Sequence, residues 1–120
     1  MPSRERVQSL IDHVLQGKIL EAVQEFYADD VQMQENLNPP TVGKAANLER
    51  EKQFVAYVKE FHSASAGPVV VEGDHAAIRW TMDFTAVDGN RVKYDQVALQ
   101  TWRGDHIVHE RFIYDTGAKA

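Results

Sequence analysis

Phe26-Tyr27-Ala28-Asp29-Asp30-Val31-Gln32-Met33-Gln34-Glu35-Asn36 changes its repeat within its own length. Upstream, Ile19, Leu20, Val23, Phe26 and Tyr27 recur at helix spacing, whereas from Val31 onward residues alternate by two. The stretch therefore predicts a corner from helix into strand. On that strand Val31, Met33 and Glu35 share one face, and Gln32, Gln34 and Asn36 share the other. The apolar face is expected to turn inward, and it takes the Glu35 carboxylate with it. A carboxylate in an apolar space is costly unless it is protonated, hydrogen-bonded or put to use. Glu35 is thus the first candidate for chemistry.

Before the corner, Val7, Leu10, Ile11, Val14 and Leu15 predict an amphipathic helix from about Ser3 to Gln16 capped by Gly17, followed by a short helix from about Lys18 to Ala28. After it, Asn38-Pro39-Pro40-Thr41 reads as loop, because proline cannot donate to a ladder. A third helix is expected from about Lys44 to His62, burying Leu48, Phe54, Val55, Val58 and Phe61, with Glu51 on the same side and Arg50 at its flank. Strands are predicted near 65–72, 75–87, 91–103 and 106–115, divided by Gly73-Asp74, Asp88-Gly89-Asn90 and Gly104-Asp105. Helices first and a meander of long strands last is the α+β order, three helices packed on a curved antiparallel sheet.

Strand parity sorts the residues further. Ala76, Ile78, Trp80, Met82 and Phe84 form an apolar inward row. On the next strand, Tyr94, Gln96, Ala98, Gln100 and Trp102 lie together, opposite Lys93, Asp95, Val97, Leu99 and Thr101, and parity alone does not choose between the faces. On the last strand, Val108, Glu110, Phe112 and Tyr114 are taken as inward, against His109, Arg111 and Ile113.

The 120 residues suit one domain over 1–120, able to bury roughly two thirds of its unfolded surface. Hydrophobic content of 43% and charged content of 26% fit a globular chain rather than disorder. No apolar run approaches ~18 residues, so neither a signal peptide nor a membrane span is expected, and a cytoplasmic location is the default. The absence of cysteine excludes disulfides, thiolate metal sites and a cysteine nucleophile. A net charge of −5 without a basic cluster argues against nucleic acid and leaves a small molecule or another protein as partner.

Phe26-Tyr27-Ala28-Asp29-Asp30-Val31, Gly43 before the long helix, and Leu99-Gln100-Thr101-Trp102-Arg103-Gly104-Asp105-His106-Ile107-Val108 resemble the SnoaL-like branch of the NTF2-like superfamily over nearly the whole chain. The resemblance implies a conical α+β barrel, often dimeric through its outer sheet face. It also implies an inward Ala98, bringing Tyr94, Gln96, Gln100 and Trp102 to the interior. The superfamily holds isomerases, cyclases, hydrolases, dehydratases and non-enzymatic transport factors. The local match at the corner is to ketosteroid isomerase, with Glu35 at the position of its proton-shuttling carboxylate. That isomerase's oxyanion-hole donors would fall near Leu10 or Ile11 and at or near Ala98, none of which can donate a hydrogen bond.

Glu35, Glu51 and Glu110 are then expected around one cavity with Arg50, Trp80, Tyr94, Gln96, Gln100 and Tyr114 as ligand-binding residues. A carboxyl group desolvated among others is raised toward neutral pKa, where it can act as general base or acid. The plainer alternatives are a solvated Arg50–Glu51 rim pair and a Glu110 satisfied by amide and hydroxyl neighbours. His106, His109 and Glu110 resemble a metal motif, but residues three apart on a strand face opposite ways, so no metal and no cofactor is expected. The sequence thus predicts a pocket for a small, largely apolar, oxygen-bearing molecule. Either it is an isomerase-, cyclase- or hydrolase-like enzyme with Glu35 as base, or it is a non-catalytic ligand-binding or dimeric interaction module. The outward row Val97, Leu99 and Ile113 predicts a homodimer through the outer sheet faces.

Overall fold

The structure, a computed structural model, describes residues 1–116. Helix α1 (Arg4–Leu15) starts where the Ser3 hydroxyl accepts from the Arg6 amide at 3.0 Å, and it buries Val7, Leu10 and Ile11. It ends at Gly17, whose φ of +79° lets the Lys18 amide turn back to the His13 carbonyl at 2.8 Å. Helix α2 (Ile19–Phe26) buries Ala22, Val23 and Phe26 and runs without a loop into strand β1 (Tyr27–Glu35). The corner therefore lies at Tyr27, four residues earlier than the alternation in the sequence suggested.

Asn38-Pro39-Pro40 is loop, but Thr41–Val42 forms a two-residue strand, β2, against Gln32 and Met33. Gly43, at φ +96°, then opens α3 (Lys44–Tyr57). Its amide donates to the Val31 carbonyl at 2.7 Å, while its carbonyl receives the side-chain amide of the fully buried Asn47 at 2.8 Å. The base of α3 is thereby fastened to β1.

Helix α3 is shorter than its periodicity implied. Val58–His62 belongs instead to β3 (Val58–Glu72), which pairs with β4 (His75–Ala86) from Val58↔Ala86 onward. The apolar spacing at Phe54, Val58 and Phe61 fits a helix, yet it is overridden by the ladder that the long β4 strand offers. Phe61, now in β3, is exposed rather than buried, as is Val55 near the end of α3, and His62 bonds to Thr85 Oγ1 at 2.8 Å.

Strands β5 (Arg91–Arg103) and β6 (His106–Ile113) complete a six-stranded sheet in the order β2-β1-β6-β5-β4-β3. The sheet is curved but not closed and mostly antiparallel, with β2 and β3 as edges and β1 running parallel to β6. One bulge matters for side-chain direction. Trp102 pairs with Ile107 but Thr101 pairs with His109, so Val108 is an extra residue. Ile107 is therefore the fully buried residue and Val108 only half-buried, reversing the expected parity at that end. Helices α1 and α2 close over the concave face, and their apolar rows form one core with Val31, Met33, Ile78, Ala98, Trp102 and Ile107. Among the described residues, no helix is long and apolar enough to cross a membrane.

Candidate functional site

Sheet curvature and the helix cover leave a cavity of about 270 Å³ between them. Its walls from α1, α2 and β4 are neutral, formed among others by Leu10, Val14, Ile19, Val23, Trp80 and Met82. Every candidate named from the sequence borders this space: Glu35, Arg50, Glu51, Trp80, Tyr94, Gln96, Gln100, Glu110 and Tyr114. They do not border it at the same depth, and depth decides their chemistry.

Glu35 points the way its parity indicates but is not buried. It is the last residue of β1, at the open end of the cavity, and its side chain is 47% exposed. The expectation that this carboxylate is carried into the interior is corrected accordingly: alternation sets the face, not the distance from the strand end. Glu35 sits 3.7 Å from Arg50 Nη1, and burial together with the nearby Glu35 carboxylate raises the Tyr114 hydroxyl above its ordinary value. Arg50 Nη2 lies 3.4 Å from Glu51 Oε1, so one guanidinium stands between two carboxylates at the mouth. Burial pushes the Glu51 carboxyl upward, Arg50 opposes that shift, and Glu35 adds to it. Arg50 Nε is buried and has no hydrogen-bond partner among the described residues.

The enclosed carboxylate is Glu110, only 2% exposed. It lies mid-strand on β6, flanked on both sides by β1 and β5. Tyr27 donates its hydroxyl to Oε1, and Gln100 Nε2 donates to Oε2 at 2.6 Å. Gln100 Oε1 in turn accepts from the Trp102 indole N–H at 3.1 Å. Desolvation is the main cause that raises the Glu110 carboxyl to about 7, against the lowering effect of the bonds from Tyr27 and Gln100; Glu51 adds to the rise and Arg50 opposes it. Burial and the neighbouring Glu110 charge hold the Tyr27 hydroxyl well above the usual phenol range.

Tyr27 is the site residue that sequence reasoning missed. It shares odd-numbered parity with Val31, Met33 and Glu35, but its apolar ring also completes the helical row of α2, and that reading claimed it. Tyr94 is placed toward the mouth, stacked on Phe54 at 6.5 Å between ring centres and 37% exposed. Among the described residues, no group of three or more His, Asp or Glu is arranged to hold a metal ion.

Residues 2–114 match the SnoaL-like domain family. A candidate SnoaL-like polyketide cyclase from Mesorhizobium loti is 30% identical, with a TM-score of 0.80 over 95% of this chain and 100% of that one. TerC, co-crystallised with polyporic acid, is 17% identical, with a TM-score of 0.76 over 94% of this chain and 91% of its own. A Catenulispora acidiphila protein with a ketosteroid isomerase-like fold, in complex with trimethylamine, is 16% identical, with a TM-score of 0.77 over 95% and 88%. No functionally curated protein matches the sequence.

Proposed function

The chain belongs to the SnoaL-like domain family, and from that premise we propose that it binds a small, largely apolar, oxygen-bearing molecule and moves a proton on it at the cavity floor. The carrying observation is Glu110, a carboxyl group removed from solvent, held on both oxygens and bordering a cavity that a small molecule can enter. With its carboxyl raised to about 7, it exists in both protonation states near neutral pH, as a general base or acid requires. Tyr27 stands beside it as the hydroxyl a carbonyl or hydroxyl oxygen would meet. Glu35, assigned the base from sequence, becomes with Arg50, Glu51 and Tyr114 a polar rim that orients the entering molecule. That two relatives of this fold hold polyporic acid and trimethylamine supports a ligand-sized pocket.

Abstraction of a proton beside a carbonyl is the reaction class this floor supports best. Deuterium incorporation into the methyl group of acetophenone, followed by NMR in heavy water near neutral pH, tests it. The protein is expected to accelerate exchange, and Glu110→Gln to lower the acceleration by about 10²-fold or more. Exchange that survives Glu110→Gln rejects Glu110 as the base, and exchange lost only in Glu35→Gln returns the role to the rim. A second reading is favoured by one observation: both Glu110 oxygens are already satisfied, as in a purely structural buried group. Under that reading acetophenone binds and no variant changes its exchange.

The same proposal includes a homodimer through the outer sheet face. Val97, Leu99 and Ile113 are each partly exposed there, Val97 opposite Ile113, with the Arg79–Asp95 pair (2.8 Å) at their side.

A further inference from the structure

Building on the ligand-site reading, we infer that Tyr27 is a two-state contact. Its hydroxyl accepts from the cavity while Glu110 is ionised and donates into the cavity once Glu110 takes a proton, so one buried carboxyl selects between hydroxyl-bearing and carbonyl-bearing ligands.

Trp102 stands at the far end of the hydrogen-bond chain that reaches Glu110 through Gln100. An indole N–H can only donate, so Trp102 fixes the Gln100 side chain with its oxygen toward the indole. The Gln100 amide nitrogen must then face Glu110 and donate to Oε2, which it does at 2.6 Å. An amide free on both sides could turn over; this one cannot without setting two donors against each other. The Oε2 lone pair facing Gln100 is therefore an acceptor in every state, and an arriving proton is assigned to Oε1, on the side where the Tyr27 oxygen can accept it.

While Glu110 is ionised, Tyr27 donates to Oε1 and presents an oxygen lone pair elsewhere. When Oε1 carries the proton, that bond reverses, and the Tyr27 hydrogen must turn to a new acceptor. Among the described residues the hydroxyl bonds to no group other than Glu110, and both side chains border the cavity. The new acceptor is therefore a guest in the cavity. The charged groups facing the pair are Arg50 and Glu51 from α3, which act on Glu110 in opposite senses, and Glu35 at the end of β1. From β5 come Tyr94 and the neutral Gln96 and Gln100, and beyond β6 comes Tyr114; α1, α2 and β4 contribute neutral side chains alone.

The proton balance follows. A ligand that can only accept, such as a ketone, binds the acid state, so its binding takes up one proton from water, its apparent affinity falls about tenfold per pH unit above the transition, and proton abstraction by Glu110 proceeds only from the ionised fraction of the complex. A phenol that donates to the Tyr27 oxygen binds the ionised state and shifts the transition the other way.

NMR of protein carrying labelled glutamate and tyrosine side-chain carbons, titrated between about pH 5 and pH 9, reads both groups at once. The Glu110 carboxyl carbon and the Tyr27 hydroxyl-bearing carbon are expected to move with one midpoint, while the Trp102 indole and Gln100 amide protons stay in place. Acetophenone should raise that midpoint and para-ethylphenol lower it. In Glu110→Gln the new amide accepts from Gln100 and donates to Tyr27, freezing the acid arrangement, so the Tyr27 carbon should hold its low-pH position throughout. A Tyr27 signal that ignores the Glu110 titration, or two probes that move the midpoint in the same direction, overturns the inference. Ketones and phenols that leave both signals unmoved, with the coupled titration intact, count against the ligand-site reading and not against the switch.

Discussion

Glu110 is ionisable at a place where ionisation is costly, and that gives the protein a stability profile with a definite sign. Its carboxyl lies at about 7 in the folded protein against 4.5 for the free side chain. Between those values the unfolded chain releases the proton and the folded chain keeps it, so the folded state binds more protons and stability falls as pH rises. The loss begins above 4.5, is complete above 7 and amounts to about 3 kcal/mol. Urea unfolding of wild type and Glu110→Gln across this range should show the variant gaining relative stability by that order as pH rises; parallel curves would place Glu110 in an ordinary carboxylate environment. Glu35 presents the contrast. Alternation put both residues on the inner face, but Glu35 ends its strand at the cavity mouth while Glu110 is covered on both sides by neighbouring strands.

At the scale of elements, two local patterns were overridden by pairing. The helix expected to reach His62 stops at Tyr57 because β4 is long enough to recruit Val58 onward as a partner strand. On β6, the bulge at Val108 passes the core position to Ile107, whose side chain is fully buried. Ile107→Ala should therefore destabilise by about 2–5 kcal/mol in chemical denaturation, and Val108→Ala by clearly less. Equal losses at the two sites, or a larger one at Val108, would contradict the bulged register. The bulge leaves Glu110 and Gln100 directly paired across the strands, which the floor network requires.

For the whole molecule, the outer sheet face is the surface on which an assembly can be built. Val97 and Leu99 on β5 and Ile113 at the end of β6 leave apolar area open among charged neighbours. Sedimentation at micromolar concentration should give a dimer that Leu99→Glu converts to monomer, since a carboxylate on that face, even with Arg111 across the strands, is costly to cover. A monomeric wild type would remove the assembly while leaving the pocket untouched. Arg79 and Asp95 are mutually paired on this face, so neither brings an uncompensated charge to it.

The order of the main helices and strands, the turns that divide the meander, the family and most of the side chains that border the cavity, though not Tyr27, were legible from the chain alone. The elements and turns rest on local rules, a repeat of three to four or of two, glycine where the backbone must turn, and side chains alternating across a pleat, whereas the family and the inward face of β5 rest on the resemblance. The open sheet with its parallel β1–β6 pair, the end of α3, the bulge at Val108, and the choice of Glu110 over Glu35 as the enclosed carboxylate were decided only by tertiary structure. Burial is a property of what lies on the far side of a residue, and here that neighbour comes from strands and helices distant in sequence.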